Sequence, residues 1–270
     1  MNKFDKICHD IKTLKIQGAR NIAIAGIRAL LIKHDKNSVK KLLNTRPTEP
    51  ALENTIKFIL KDIKKNPRLA YQHFENSKKI IEEFGSKLIK KNLTIFTHCH
   101  SSTVMSILKK VKPKVNQTET RPLYQGRLTA KELIKAKVPT TQYIDSAARY
   151  AIKNSDLVLL GCDAINHKGV VINKIGSEIF CEVAYKRKIP VYIATNSWKY
   201  DPHSIHERIK IEQRDTKEIW KNPPKGLKIK NPAFEKINPK LIKGIISELG
   251  IHTPKQFVKE VKKRYPWMIS

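Results

Sequence analysis

The chain has 270 residues, and 54 Lys and Arg against 24 Asp and Glu give it a formal net charge of +30 at pH 7. No stretch approaches the about 18 consecutive apolar residues of a membrane-spanning helix, and residues 1–13 hold no apolar signal-peptide core, so the sequence predicts a cytoplasmic protein with no membrane partner. The lysines are spread over most faces without a stripe of interleaved aromatic residues, which predicts a solvated surface with weak, non-specific attraction to RNA.

Cysteine spacing agrees with that compartment. The four cysteines show neither CxxC spacing nor the density of a small secreted scaffold, so reduced thiols are expected; they are Cys8, Cys99, Cys162 and Cys181. A chain of 270 residues is long enough for one large or two modest domains.

The first 90 residues predict helices alone. Four segments carry apolar side chains at a spacing of about 3.6 residues, and they span 7–16, 22–31, 56–63 and 69–84. Gly18 separates the first two segments, Asn66-Pro67 marks a turn before the last one, and Gly85 is expected to end it. Because strand-like alternation is missing, residues 1–90 are expected to form a helical N-terminal domain.

From Leu93 onward, short β-rich runs alternate with helical ones. The expected strands are 93–97, 115–118, 141–144, 157–161 and 191–194. The expected helices between them are 104–111, 128–134, 147–152 and 179–185. This alternation indicates βαβ units, so residues 91–270 are expected to form an α/β domain with a parallel sheet and helices on both faces.

Three segments fall outside that alternation. Residues 169–172 predict a small hairpin, and the polar, poorly periodic segment 200–232 predicts a loop with a short helix. The tail 239–265 predicts a helix, whose apolar face comprises Leu241, Ile242, Ile245, Ile246 and Leu249.

Cys99 follows the first expected strand and precedes a helix start at Ser101-Ser102. The carboxyl ends of parallel strands form one ligand-binding crevice, and the amides of a helix start are expected to lower the pKa of a nearby thiol. The alternative is a buried, inert cysteine. The flanking His98 and His100 make this strand end polar and favour a functional thiol.

Asp163 follows the fully apolar run 157–161 and reaches the same edge of the expected sheet. An aspartate there is either a turn cap or an acid–base group, and partial burial beside apolar strands is expected to raise its pKa. The neighbouring Cys162 is expected to pack inside, because alternate side chains of a strand point to opposite faces.

Five cationic residues are candidate anion clamps, namely Arg20, Arg46, Arg121, Lys174 and Lys199. Gly18-Ala19 opens the second helix, where backbone amides can meet a phosphate, and arginine suits bidentate phosphate binding. The absence of GxGxxG and GxxxxGKS/T motifs argues against dinucleotide and P-loop sites. Thr-His-Cys-His at 97–100 is too tight for tetrahedral zinc, so no metal is expected.

With these residues in place, the chain resembles the superfamily of translation-initiation-factor-2B-like sugar-phosphate isomerases, and within it the archaeal ribose-1,5-bisphosphate isomerases. The resemblance runs in order along nearly the whole chain. Its segments are Gly18–Arg20, Thr45–Thr48, Thr97–Ser101, Thr118–Pro122, Tyr124–Arg127, Asp145–Arg149, Gly161–Asp163, Asn173–Gly176, Trp198–Tyr200 and Glu248–Gly250. It implies a helical N-terminal domain, a Rossmann-like C-terminal domain, and dimers assembled into a hexamer.

The resemblance also implies an aldose–ketose isomerase that converts ribose 1,5-bisphosphate into ribulose 1,5-bisphosphate during the degradation of nucleotides such as AMP. By residue-to-residue correspondence, Cys99 is the proton acceptor and Asp163 the proton donor, and the reaction requires no cofactor or metal. The implied substrate contacts are Gln17, Gly18, Ala19, Arg20, Arg46, Ser101, Ser102, Thr103, Asn173, Lys174 and Lys199.

Two departures from that family keep alternatives open. Gln17 stands where the isomerases usually carry arginine, and Ser101-Ser102-Thr103 stands where they often carry Ser-Lys-Ala. Loss of two cations would weaken bisphosphate binding, at ~1.5–3 kcal/mol for each charged hydrogen bond, unless Arg20 replaces the first. The alternatives are a non-catalytic regulatory subunit that binds initiation factor 2, and a methylthioribose-1-phosphate isomerase.

Overall fold

The computed structural model describes residues 1–47, 49–205 and 211–269, and in these ranges it holds ten α-helices and ten β-strands. The helices before the first strand are α1 Lys3–Lys12, α2 Ala19–Ile32, α3 Lys36–Leu43, α4 Pro50–Leu60 and α5 Asn66–Leu88. Four of them match the four predicted segments, whereas α3 has no predicted counterpart. Its buried residues are Ser38 and Leu42, so this short helix gives little periodic signal.

The remaining elements follow α5 in alternation. The later helices are α6 Ser102–Val111, α7 Gln125–Lys135, α8 Ala148–Lys153, α9 Ser177–Lys186 and α10 Pro254–Arg264. The strands are β1 Thr94–Thr97, β2 Lys114–Thr118, β3 Thr140–Tyr143, β4 Leu157–Leu160, β5 Ala164–Ile165, β6 Val171–Lys174, β7 Val191–Ala194, β8 Phe234–Ile237, β9 Gly244–Ser247 and β10 Gly250–His252. The five predicted strands correspond to β1–β4 and β7.

Two glycines in the helical region have different roles. Gly18 precedes α2 with φ of 84°, a conformation that favours glycine, so the predicted turn is confirmed. The predicted helix end at Gly85 is wrong, because α5 continues to Leu88. A Cβ atom at Gly85 would lie 2.5 Å from Cδ1 of Ile107, so this glycine permits the close approach of α5 and α6.

Seven strands form the main sheet in the order β10-β9-β7-β4-β1-β2-β3. Neighbouring strands are parallel except for β10 with β9, which confirms the predicted parallel sheet. The strand order reverses between β1 and β4, which lie side by side with Ile95 opposite Leu157. Such a switch point opens a crevice at the carboxyl ends of the two strands. It therefore brings together the residues that follow Thr97 and Leu160.

Helices cover both faces of this sheet, as predicted. Ile95 and Leu159 belong to a core that includes Ile107 of α6. Phe96 belongs to a second core that includes Cys181 of α9. Because neighbouring residues of β1 face opposite cores, the strand is apolar on both sides, which is typical of parallel sheets.

A second sheet is antiparallel and has the order β5-β6-β8. Its β5–β6 pair, with Ala164 opposite Ile172, confirms the predicted hairpin. The third strand, β8, has no predicted counterpart. Segment 200–232 is a loop with short 3-10 turns at His203–Ile205 and Thr216–Glu218, as predicted, although positions 206–210 lie outside the described residues.

The predicted helix over 239–265 is wrong in its first half. A 3-10 turn at Pro239–Leu241 leads into β9 and β10, and the helical part begins at Pro254. Ile245 and Ile246 of β9 belong to opposite cores. A strand that is buried on both faces gives a continuous apolar run, and a helical period fits such a run equally well.

The helical region and the sheet share a hydrophobic core, which includes Ile56 of α4 and Phe96 of β1. The division into two domains at residue 90 stays a prediction. Thr48, which belongs to the family segment Thr45–Thr48, lies outside the described residues. Among the residues that the structure describes, no helix combines the length and apolar character that crossing a membrane requires.

Candidate active site

A cavity of about 540 Å³ includes residues from the N-terminal helices and from the crevice at the switch point. Its lining contains every residue predicted for catalysis or substrate contact, namely Gln17, Gly18, Ala19, Arg20, Arg46, Cys99, Ser101, Ser102, Thr103, Asp163, Asn173, Lys174 and Lys199. The candidate clamp Arg121 does not belong to this set. Its guanidinium donates to Oη of Tyr124 over 2.7 Å and to the carbonyl of Ile219 over 3.1 Å on the surface.

Three helices present their amino ends to the cavity. Gly18, Glu49 and Ser101 are the N-cap residues of α2, α4 and α6, and all three belong to the lining. Backbone amides and the helix dipole make such ends favourable for anions. The arrangement therefore suits a phosphorylated ligand.

Cys99 lies just beyond β1 in a left-handed backbone conformation, with φ of 65°. Its N–H donates to Oγ1 of Thr120 over 2.9 Å, and its carbonyl accepts from Oγ1 of Thr129 over 2.7 Å. A non-glycine residue in this conformation costs roughly 1–2 kcal/mol, and residues held in this way cluster at functional sites. Two hydroxyl groups from other segments thus hold the backbone that carries the thiol.

The prediction that the helix start lowers the pKa of Cys99 is wrong. Burial raises the pKa of this half-buried thiol to about 11, although Lys174 and the amide of His100 act in the opposite direction. The helix α6 begins at Ser102, beyond the thiol. Removal from water therefore penalises the thiolate more than the nearby positive groups stabilise it.

The imidazole of His98 is neutral, and its hydrogen bonds hold neighbouring segments together. Burial lowers its pKa to about 4, against the opposing effect of the Asp145 carboxylate. Its Nε2 lies 3.0 Å from the carbonyl of Ile175, which can only accept, so Nε2 carries the proton. Its Nδ1 then accepts from Oγ1 of Thr118 over 2.6 Å. The ring thereby ties the end of β1 to β2 and to the turn after β6.

Asp163 follows β4 and belongs to the same cavity lining as Cys99. Its backbone N–H donates to the carbonyl of Ile172 over 2.8 Å, which ties this turn to β6. Cys162 is buried and its Sγ lies 3.0 Å from Oγ1 of Thr195, so the prediction that it packs inside is confirmed.

Lys199 is positioned by the N-terminal helices. Its Nζ donates to the carbonyl of Cys162, directly before Asp163. The 3-10 turn that ends at Lys199 is held by Asn54 of α4, whose Nδ2 donates to the carbonyls of Trp198 and Tyr200 over 2.8 Å each. A buried amide on α4 therefore sets the position of Lys199, a candidate anion clamp that the sequence had indicated.

Both candidate clamps among the arginines of the lining pair with carboxylates. Arg20 contacts Glu75, and Nη2 of Arg46 lies 3.7 Å from Oε2 of Glu212. Their Nε atoms are buried and have no hydrogen-bond partner among the described residues, which leaves two donors for ligand oxygens. The side-chain amide of Gln17 donates to the carbonyl of Leu14 in its own loop over 2.8 Å.

The other predicted contacts come from β6 and from the first turn of α6. Nδ2 of Asn173 donates to Oγ of Ser177 over 2.8 Å, so this amide braces the start of α9. Nζ of Lys174 lies 4.9 Å from the ring centre of Phe234. Residues 101–103 lie at the amino end of α6, where they border the cavity.

Sequence reasoning missed several charged residues of the lining, which are Lys15, Glu49, Lys78, Glu132, Glu212 and Arg214. Glu49 is 5% exposed, and its Oε1 has no hydrogen-bond partner within the described part of the chain. Burial raises its pKa to about 8, and Asp163 adds to this effect, whereas Lys199 and Arg46 oppose it. The available signal was its place in Arg-Pro-Thr-Glu, three residues after the predicted clamp Arg46.

Comparisons with known proteins agree with this geometry. A model of the Initiation factor 2 subunit family matches residues 15–254. The ribose 1,5-bisphosphate isomerase of Methanocaldococcus jannaschii is 36% identical over 96% of this chain and 94% of its own. That of Thermococcus kodakarensis is 31% identical over 98% and 95%.

A crystal structure of a translation initiation factor eIF-2B from Pyrococcus horikoshii has a TM-score of 0.86 and 25% identity, over 96% of this chain and 99% of that one. The similarity thus spans both the helical region and the sheet, and it joins enzymes and initiation factors in one fold. The chain belongs to the Initiation factor 2 subunit family.

Proposed function

We propose that this chain is a cytoplasmic aldose–ketose isomerase that converts ribose 1,5-bisphosphate into ribulose 1,5-bisphosphate in nucleotide degradation. We further propose that it works as dimers assembled into a hexamer. The main support is one arrangement: Cys99 and Asp163 follow adjacent parallel strands and border one cavity, together with arginine donors that are unpartnered among the described residues. The names of the relatives from Methanocaldococcus jannaschii and Thermococcus kodakarensis support the same substrate.

The substrate dictates the proton transfers. Because a phosphoryl oxygen occupies the anomeric position, the sugar ring opens by cleavage of the bond between C1 and O4. In the first step the Cys99 thiolate takes the proton from C2, and the electron pair of that C–H bond forms the C1=C2 double bond. The electron pair of the C1–O4 bond passes to O4, which receives a proton from the Asp163 carboxyl group. The product is an open-chain enol phosphate.

The second step returns Cys99 and Asp163 to their starting protonation states. The Asp163 carboxylate takes the proton of the C2 hydroxyl, and the C2=O double bond forms. The electron pair of the C1=C2 bond then takes the proton back from the Cys99 thiol at C1, which gives the ketose. Each group ends in its starting protonation state, so one thiolate and one protonated carboxyl suffice for a full cycle.

The cations would hold the two phosphates. The backbone amides at the amino ends of α2 and α6 can donate hydrogen bonds to phosphate oxygens. The buried Nε–H groups of Arg20 and Arg46 can add charged hydrogen bonds. Arg20 would then supply the positive charge that Gln17 lacks. Lys174 lowers the pKa of the Cys99 thiol, so it would favour the thiolate during proton removal.

A substrate panel tests the proposal. Purified protein is incubated with ribose 1,5-bisphosphate or methylthioribose 1-phosphate, and the products are followed by phosphorus NMR. We expect turnover of the bisphosphate and a loss on the order of 10²–10⁴ in Asp163→Asn, the usual scale of acid–base catalysis. If neither sugar phosphate is converted, the isomerase proposal falls. Conversion of methylthioribose 1-phosphate alone would reassign the substrate.

The regulatory alternative has one specific point in its favour, which is the structural likeness to an initiation factor eIF-2B at 25% identity. A pull-down with initiation factor 2 tests it in parallel. A regulatory subunit would retain this partner in both the unmodified protein and Asp163→Asn, because binding does not require a titrating carboxyl group.

A further inference from the structure

Glu49 places a second carboxyl group in the lining of the cavity that Asp163 also borders. It is the N-cap residue of α4, but its side chain makes no capping hydrogen bond and is 5% exposed. Its Oε1 is buried and has no hydrogen-bond partner among the residues that the structure describes. A carboxylate buried in this way is costly unless it is paired or protonated.

The charges around Glu49 and Asp163 favour the retention of one proton by these two carboxyl groups. The charged groups that act on Glu49 are Asp163, Lys199, Arg46 and Glu212. Arg46 already lies 3.7 Å from the Glu212 carboxylate. Lys199 is thus the one cation of this set left for two carboxyl groups. Two carboxyl groups that share one cavity resist ionising together near neutrality, because each negative charge disfavours the other.

We propose that Glu49 and Asp163 form a carboxyl pair that carries one proton, and that Glu49 stores the proton which Asp163 delivers to the ring oxygen. This inference rests on the proposed isomerase function. Glu49 is a positioning residue here, because it acts on the substrate through Asp163. The transfer balances: a proton passes from Glu49 to the Asp163 carboxylate, on to O4, and returns when Asp163 takes the proton of the C2 hydroxyl.

The burial of Glu49 agrees with this role, since it raises the pKa of that carboxyl to about 8. The Cys99 thiol has a pKa of about 11, so the reactive form combines a thiolate with a protonated pair. The fraction of this form rises about tenfold per pH unit up to about pH 8 and is then level, because the gain in thiolate matches the loss of the stored proton.

Glu49→Gln tests the inference, because it keeps the size of the side chain but removes the stored proton. We therefore expect kcat/KM at neutral pH to fall on the order of 10²–10³, within the usual range of acid–base effects. The pH profile of kcat/KM is compared above about pH 6.5, where the last ionisation of the phosphates, at a pKa of roughly 6, contributes little. In that range the profile of the variant should be level instead of rising. Glu49→Asp should recover part of the slope.

Glu53→Gln is the matched control, since Glu53 lies on the same helix, pairs with His203 and is not part of the cavity lining. It should leave activity and the pH profile unchanged. If Glu49→Gln shows the same rising profile as the unmodified protein, the proton-storage role is wrong.

Infrared difference spectra at pH 7 separate this inference from the proposed function. Glu49→Gln should lose the C=O stretching band of one protonated carboxyl group, whether or not the protein turns over the sugar phosphate. If the unmodified protein shows this band but no turnover, the carboxyl pair stands and the isomerase proposal is wrong. A protein with turnover but no such band would refute the pair alone.

Discussion

At the scale of single residues, the reactivity of Cys99 is governed by burial more than by its helix. The thiol is half-buried, whereas Cys8, Cys162 and Cys181 are buried, so a small alkylating reagent reaches Cys99 first. Its pKa is raised to about 11, and the thiolate is the reactive form. We expect alkylation of Cys99 to be the fastest of the four and to accelerate about tenfold per pH unit between pH 7 and 10. Peptide mass spectrometry at several times and pH values measures these rates.

The matched variants are Cys99→Ser and Cys181→Ser. Cys99→Ser should abolish turnover with an unchanged circular dichroism spectrum, because the hydroxyl is a far weaker base than a thiolate. Cys181 lies on the buried face of α9 and is not part of the cavity lining, so its replacement should preserve turnover. Full activity in Cys99→Ser would show that Cys99 is not the proton acceptor.

At the scale of elements, the contact between α5 and α6 depends on Gly85. Alanine normally stabilises a helix interior by about 1 kcal/mol relative to glycine. Here an added Cβ would meet Cδ1, Cγ1 and Cγ2 of Ile107 at 2.5, 2.7 and 2.9 Å. Overpacking costs typically ~1–3 kcal/mol. We expect Gly85→Ala to lower the free energy of unfolding in urea despite its better helix propensity.

The double variant Gly85→Ala/Ile107→Val is the control for this prediction. Valine removes Cδ1, the atom nearest to the added Cβ, so part of the lost stability should return. Gly26 offers a comparison on α2, where the added atom would meet Cδ1 of Leu52 at 2.5 Å and a single side-chain rotation can relieve it. A more stable Gly85→Ala protein would show that this helix pair shifts apart without cost.

Strand ends could be predicted from the sequence because their signals are local. The apolar run Leu157–Leu160 ends abruptly before Asp163, and a parallel sheet then brings that aspartate to Cys99. The helical tail was mispredicted because Ile245 and Ile246 are both buried, which hides the two-residue period of β9. Local patterns determine which elements form, but not which faces become covered.

The electrostatics of the site depend on residues far apart in the chain, and for that reason the sequence did not reveal them. Burial raises the pKa of the Cys99 thiol against the opposing charge of Lys174 on β6, and burial at the amino end of α4 raises the pKa of Glu49. Asn54 holds the Lys199 turn across a sequence separation of more than a hundred residues. Such contacts exist only once the helical region packs on the sheet.

At the scale of the whole molecule, the net charge of +30 creates a long-range attraction to polyanions. If most lysines are solvated, RNA binding is driven by counterion release and falls steeply with salt, at a slope of ~0.7 for each neutralised phosphate of a single strand. In the proposed site the sugar bisphosphate would instead meet Arg46, whose side chain is 14% exposed, so salt would screen that contact less. The two kinds of binding should therefore respond differently to salt.

Charge variants separate the two effects. Lys64 and Lys65 are exposed and lie outside the cavity lining. Lys64→Gln/Lys65→Gln should weaken RNA retention and lower the salt slope by up to ~1.4, while isomerase activity is unchanged. Lys199→Ala should do the reverse, because it removes a cation of the cavity and few of the surface charges. Filter binding at several salt concentrations and a turnover assay measure both. Tight, salt-resistant and sequence-selective RNA binding would contradict a solvated surface and would move the function toward RNA handling.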